Sequence, residues 1–179
     1  MTQIGVNYGG ALYDLAVSEG ITAEILGQLQ VLRESFSREM TFLRLLSAPN
    51  ITKEERCKIV DDSFRGKVHP YVLNFLKLLT ERGYAKYFAD CCASFEERYN
   101  QDNGILPVEA VTAVALTDTQ AEKLIGKLSA ITGKQVVLKN TVDPDCLGGV
   151  RLRYDGIQVD GTVQSRLDTV GDLLKNTVL

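Results

Sequence analysis

The stretch from Asp143 to Val170, DPDCLGGVRLRYDGIQVDGTVQSRLDTV, constrains this chain more than any other. Asp143-Pro144 is a turn dipeptide, and Gly148-Gly149 admits backbone conformations that a side chain forbids. Val150 to Tyr154 alternates as a strand does. Asp155-Gly156 is the pair a two-residue hairpin turn prefers, and Ile157 to Val159 supplies the returning strand. Asp160-Gly161-Thr162 stops the sheet and offers capping oxygens. From Val163 the apolar positions Leu167, Val170 and Leu174 follow at helical spacing, which predicts a terminal helix. Turn, hairpin and helix leave no spare loop for a large active site.

The grammar of the first hundred residues is different. Tyr8, Ala11, Leu12, Leu15 and Ala16 form one apolar helical stripe that Gly20 ends, and Ile25, Leu29, Leu32 and Phe36 form a second. Met40, Leu43 and Leu46 suggest a third helix before Pro49-Asn50 breaks the chain. Thr52 and Glu55 make a capping box opening a fourth helix with Ile59, Val60 and Phe64. Pro70 after His69 starts a fifth, where a missing amide proton is harmless. Val72, Leu73, Phe75, Leu76, Leu78 and Leu79 lie on nearly every side of it, as expected of a surrounded, central helix. Gly83 closes it, and Phe88, Cys91, Phe95 and Tyr99 stripe a sixth that stops at Asp102-Asn103-Gly104.

A domain boundary is expected at Gly104. Val108 to Leu116 reads as a strand, and Thr117 with Gln120 is a second capping box. It opens a helix carrying Leu124, Ile125, Leu128 and Ile131, which Gly133 terminates, and Val136 to Val142 is a further strand. The predicted architecture is α plus α+β. An N-terminal six-helix bundle over 1–104 precedes a small C-terminal α+β domain over 105–179, with a β-hairpin and a terminal helix.

Composition excludes several classes. In 179 residues with 45% hydrophobic and 24% charged residues there is no basic block for nucleic acid to neutralise, and the net charge is −3. No apolar run is long enough to span a bilayer: Tyr71 to Leu79 is short and interrupted by Asn74 and Lys77. The first helix pattern begins within a few residues of Met1, so no signal or transit peptide is expected. The chain is expected in the cytoplasm, meeting a membrane only through partners.

Catalytic motifs are missing. Gly133-Lys134 is no phosphate loop, because Leu128 sits where the first glycine belongs and Gln135 replaces Ser/Thr. Gly148-Gly149 lacks the third glycine and following helix of a dinucleotide fingerprint. His69 is the single histidine, and Cys57, Cys91, Cys92 and Cys146 have neither metal-ligand spacing nor an activating context. The acidic residues Asp143, Asp145, Asp155 and Asp160 do not follow calcium-loop spacing. No catalytic residue, metal or cofactor is expected. What remains is a set of helices whose grooves suit a partner helix, and Ala11 with the two glycines before it permits close approach. The alternative, that Ala11 and Leu12 are simply core, predicts the same spacing.

The C-terminal stretch resembles the signature of the delta subunit of rotary ATP synthases, the family that includes the oligomycin-sensitivity-conferring protein. The matching residues are Asp143, Gly148, Gly149, Val150, Gly156, Asp160, Gly161, Thr162, Arg166 and Leu167, with Cys146 where the family more often has an aliphatic residue. Tyr8, Ala11, Leu12, Leu15 and Ala16 resemble the family's opening helix. Asn74-Phe75-Leu76, Leu78-Leu79, Glu81 and Gly83 resemble its fifth-helix motif. The resemblance implies a non-catalytic stator subunit on the cytoplasmic face of a bacterial membrane. Its first domain would bind the N-terminal helix of an α subunit, and its second the b subunits of the peripheral stalk. It also implies a groove between helices one and five, with Tyr8, Ala11, Leu12, Asn74 and Leu78 as lining candidates. Two alternatives stay open. One is a helix-binding adaptor unrelated to ATP synthase. The other is a small transferase or hydrolase, which would need a polar pocket with a perturbed acid, base or thiol that the sequence does not name.

Overall fold

The computed structural model describes residues 1–46, 51–146, 148–154 and 156–161. The terminal helix expected from Val163, the break at Pro49-Asn50, and Asp155, Thr162, Arg166 and Leu167 lie outside the described residues. The chain divides into two compact units after Tyr99, slightly before the expected Gly104.

The first unit is helical: α1 (Gln3–Ser18), α2 (Thr22–Arg38), α3 (Met40–Leu46), α4 (Lys53–Phe64), α5 (Pro70–Glu81) and α6 (Phe88–Asp102), whose last turn passes the division. A turn of 3₁₀ helix over Ala85–Tyr87 precedes α6. The sequence gives local reasons for these limits. Thr52 and Glu55 exchange hydrogen bonds in a complete capping box, and Pro70 occupies the first turn of α5 behind His69. Ile25, Leu29, Val60, Val72, Leu79, Phe88 and Phe95 form the floor of one core. Phe36 gathers Phe42, Phe64 and Phe88 around it, with ring centroids 5.5, 6.0 and 5.1 Å away.

Two helices turn differently from their predicted stripes. On α1 the buried face is Gly5, Gly9, Gly10, Leu12, Tyr13 and Ala16, while Leu15 is 39% exposed and Ala11 is exposed. The glycines decide this. A Cβ on Gly9 would lie 2.3 Å from the Cys91 carbonyl oxygen, and one on Gly5 would lie 2.6 Å from the Asp90 Cβ. Only the glycine face of α1 can approach α6 so closely. On α5, Val72, Phe75, Leu76 and Leu79 are buried, but Leu78 is 39% exposed and Asn74 is exposed. The helix is therefore covered on most sides, not all.

The second unit is a four-stranded sheet with one crossover helix. β1 (Ile105–Thr112), α7 (Asp118–Thr132), β2 (Gln135–Val142), β3 (Val150–Tyr154) and β4 (Ile157–Asp160) assemble in the order β2-β1-β3-β4. β1 runs parallel to β2 and antiparallel to β3, and β3 pairs antiparallel with β4. Its core is small: Leu106, Val108 and Val136, with Ile125, Leu128, Leu138, Leu152 and Tyr154 packed against them. Ile131, expected on the apolar face of α7, is 81% exposed, since one helix over a narrow sheet covers only a central strip.

β1 also starts and ends earlier than the predicted 108–116. Asn140 is the reason for its end. Its amide donates to the Ala110 carbonyl and Thr112 Oγ1, and its Oδ1 accepts from the Leu116 amide at 2.9 Å, pulling the loop off the strand path. Pro107 is tolerated in β1 because β3 pairs only with Glu109 to Thr112, leaving the first half of β1 as an edge.

Candidate functional site

The signature residues of the C-terminal stretch do architectural work. Asp143 donates its amide to the Thr112 carbonyl at 2.8 Å, and its Oδ1 accepts from the Asp145 amide at 3.1 Å. Gly149 and Gly156 take φ of 87° and 74°, which turns the chain into β3 and then into β4. The Gly161 amide bonds the Val150 carbonyl, and Asp160 Oδ2 accepts from Arg151 Nε at 2.9 Å, closing the hairpin base. The described residues of this set make a turn and a hairpin.

The open face of that sheet carries a polar ladder. Thr141 donates to Glu109 Oε1 at 2.9 Å, Arg153 lies 3.5 Å from Glu109 Oε2, and Arg153 Nε donates to Gln158 at 3.2 Å. A depression of about 560 Å³ lies beside it.

The single histidine and the described cysteines of the first unit have structural surroundings. His69 Nδ1 accepts from the Tyr71 amide at 3.3 Å, so the imidazole serves as a helix cap. Burial pushes the Cys91 thiol up to about 11 and the Cys92 thiol higher still, and burial also raises Cys57. Asp61 is held below its usual range by Lys77 and Arg65, both ion-paired with it. Among the described residues no group of three or more His, Cys, Asp or Glu side chains could hold a metal, and no helix is long and apolar enough to cross a membrane.

A concavity in the first unit lies between two of its helices. Tyr8, Ala11, Leu12 and Leu15 of α1 face Tyr71, Asn74, Phe75 and Leu78 of α5 across a groove of about 370 Å³. Each helix contributes residues at i, i+3, i+4 and i+7, the spacing of one continuous helical face. Leu12 and Phe75 are its buried floor, and Ala11, Leu15, Asn74 and Leu78 are its exposed rim. Tyr8 packs edge-on against Tyr84 with centroids 5.7 Å apart, so the beginning of α1 lies beside the end of α5. The described lining contains no charged side chain.

All five residues singled out from the sequence, Tyr8, Ala11, Leu12, Asn74 and Leu78, line this one groove. Leu15, Tyr71 and Phe75 were not among them. Their signal was present: Leu15 follows Tyr8 by seven positions, and Tyr71 and Phe75 flank Asn74 at helical spacing.

A helical unit with an uncharged groove, followed by a mixed-sheet unit with one crossover helix, defines a two-unit chain of the α then α+β class. A chain from the mitochondrial ATP synthase hexamer of Toxoplasma gondii shares this fold. The TM-score is 0.76 at 20% identity, over 97% of this chain and 98% of that one. This chain belongs to the ATP synthase delta (OSCP) subunit family, whose sequence pattern matches residues 4–174. It is 30% identical over 176 residues to the ATP synthase subunit delta of Clostridioides difficile (strain 630), covering 98% of this chain and 97% of the relative. It is 32% identical over 171 residues to that of Gloeobacter violaceus, covering 92% and 90%. The family is a component of the ATP synthase peripheral stalk.

Proposed function

We propose that this chain is the stator link of a bacterial ATP synthase, joining the catalytic head to the peripheral stalk at the cytoplasmic face of the membrane. Its first domain, a six-helix bundle over residues 1–104, holds the N-terminal helix of an α subunit between α1 and α5. Its second, over 105–179, holds the distal ends of the b subunits. It catalyses no reaction itself.

The groove carries this reading: two helical faces, apolar at the floor and uncharged at the rim, match the apolar face of a third helix. The mechanism is mechanical. Rotation of the central shaft exerts torque on the head, which would turn idly unless tied to the membrane sector. Two interfaces carried on one chain resist that torque better than either alone, because release of one leaves the other holding it close.

The test is a calorimetric titration with a peptide copying the N-terminal helix of the same organism's α subunit. One-to-one binding is expected for the natural chain. Ala11→Asp places an unpaired carboxylate against the docked helix, and affinity is expected to fall by about a hundredfold or more. Ala11 is exposed in the unbound chain, so the variant keeps its fold, which circular dichroism checks. Equal binding by the variant would remove the helix from this groove. In membranes, Ala11→Asp is expected to uncouple proton flow from synthesis while ATP hydrolysis by the head persists.

A further inference from the structure

Asn74 is an anomaly in the groove. Its α5 neighbours Phe75 and Leu78 present only carbon, as do Ala11, Leu12 and Leu15 opposite. The other polar atoms of the lining are the hydroxyls of Tyr8 and Tyr71, each at the first lining position of its helix, and Asn74 is the one carboxamide among the described lining residues. The Asn74 side chain makes no hydrogen bond to the described residues, and it is exposed, so water satisfies it in the unbound chain. A helix lying in the groove removes that water. A carboxamide brings two donors and an acceptor, and leaving them unpaired on desolvation is costly.

The groove is about two helical turns long, since Tyr8 to Leu15 and Tyr71 to Leu78 each advance seven residues at about 1.5 Å. Over two turns, apolar floor and aliphatic rim alone would accept a helix slid by one turn, because a smooth apolar stripe repeats. A single amide in a helical seam removes that degeneracy, at some cost in stability. We infer that Asn74 sets the register of the helix docked between α1 and α5 by pairing with one hydrogen-bonding side chain on that helix. The inference rests on the docking proposed above and adds what the partner must carry: an apolar stripe two turns long, interrupted by one polar residue abreast of Asn74. The described lining holds no charge, so this recognition works by shape and amide pairing.

The experiment is a coupling scan on the full chain by calorimetry. The α-subunit peptide and a set of variants, each with one polar residue changed to Leu, are titrated into the natural chain, Asn74→Leu and Asn74→Ala. One peptide substitution is expected to weaken binding to the natural chain about tenfold. It is expected to leave Asn74→Leu within about threefold, with Asn74→Ala showing the same loss of discrimination. Binding of every peptide to the natural chain with no such coupling would overturn the role of Asn74 while sparing the groove. No binding of the unsubstituted peptide to the natural chain would instead overturn the docking reading, and this inference with it.

Discussion

At the residue scale, glycines separate packing from permissiveness. Gly5 and Gly9 let α1 lie on α6, and a methyl group at Gly9 would meet the Cys91 carbonyl oxygen head-on. Gly27, inside α2, has nothing within 4 Å of where its Cβ would stand. The two therefore respond oppositely to the same substitution. Gly9→Ala is expected to destabilise the chain by about 1–3 kcal/mol through overpacking. Gly27→Ala is expected to stabilise it by about 0.5–1 kcal/mol through helix propensity. Urea unfolding of both variants measures the signs directly. The sequence allowed a close approach near Gly9 and Gly10 but could not assign the visitor. What decides it is the Asp90–Ser94 segment of α6, some eighty residues away, which no local pattern near α1 announces. With the glycine face given to α6, Ala11 and Leu15 are left facing the groove, and the ambiguity over Ala11 resolves toward its rim.

At the element scale, the features readable in advance are those closed within a few residues. Thr52 with Glu55 and Thr117 with Gln120 each form complete capping boxes in place, because the donors and acceptors are all within one turn. Thr52→Ala and Thr117→Ala are each expected to cost about 1 kcal/mol, read as a shift in the denaturation midpoint at unchanged slope. The hairpin from Val150 to Asp160 was legible for the same reason, with Tyr154 paired to Ile157. Element ends set by distant contacts were not legible. The exit of β1 depends on Asn140 holding the Leu116 amide, a contact across 24 positions. The exposure of Ile131 depends on how narrow the sheet beneath α7 is, and its position on the helical stripe gave no warning. The groove itself fell between these cases: the helix faces followed from spacing, but the pairing of α1 with α5 entered only through resemblance.

At the scale of the whole molecule, each unit has its own core, one floored by residues such as Leu79 and Phe95, the other centred on Leu106, Val108 and Val136. Stability should be divided accordingly. Leu79→Ala and Leu106→Ala, both nearly fully buried in the natural chain, are each expected to cost about 2–5 kcal/mol. Amide exchange followed by mass spectrometry is expected to show faster exchange in α1–α6 for the first variant and in β1, α7 and β2 for the second. Acceleration spread evenly over both units by either variant would mean that the chain unfolds as one block.

The sheet order β2-β1-β3-β4 also fixes a sequence in time. β1 emerges from the ribosome first among the strands, yet it sits inside the sheet and waits for two partners, one following the α7 crossover and the other beginning at Val150. Such distant pairings close late in folding. The helical unit has a core of its own drawn from α1 to α6, so it can close on the growing chain while the strands are still being made. A newborn copy thus offers its groove before its second half exists, and the earliest encounter open to it during synthesis is the one made through α1 and α5.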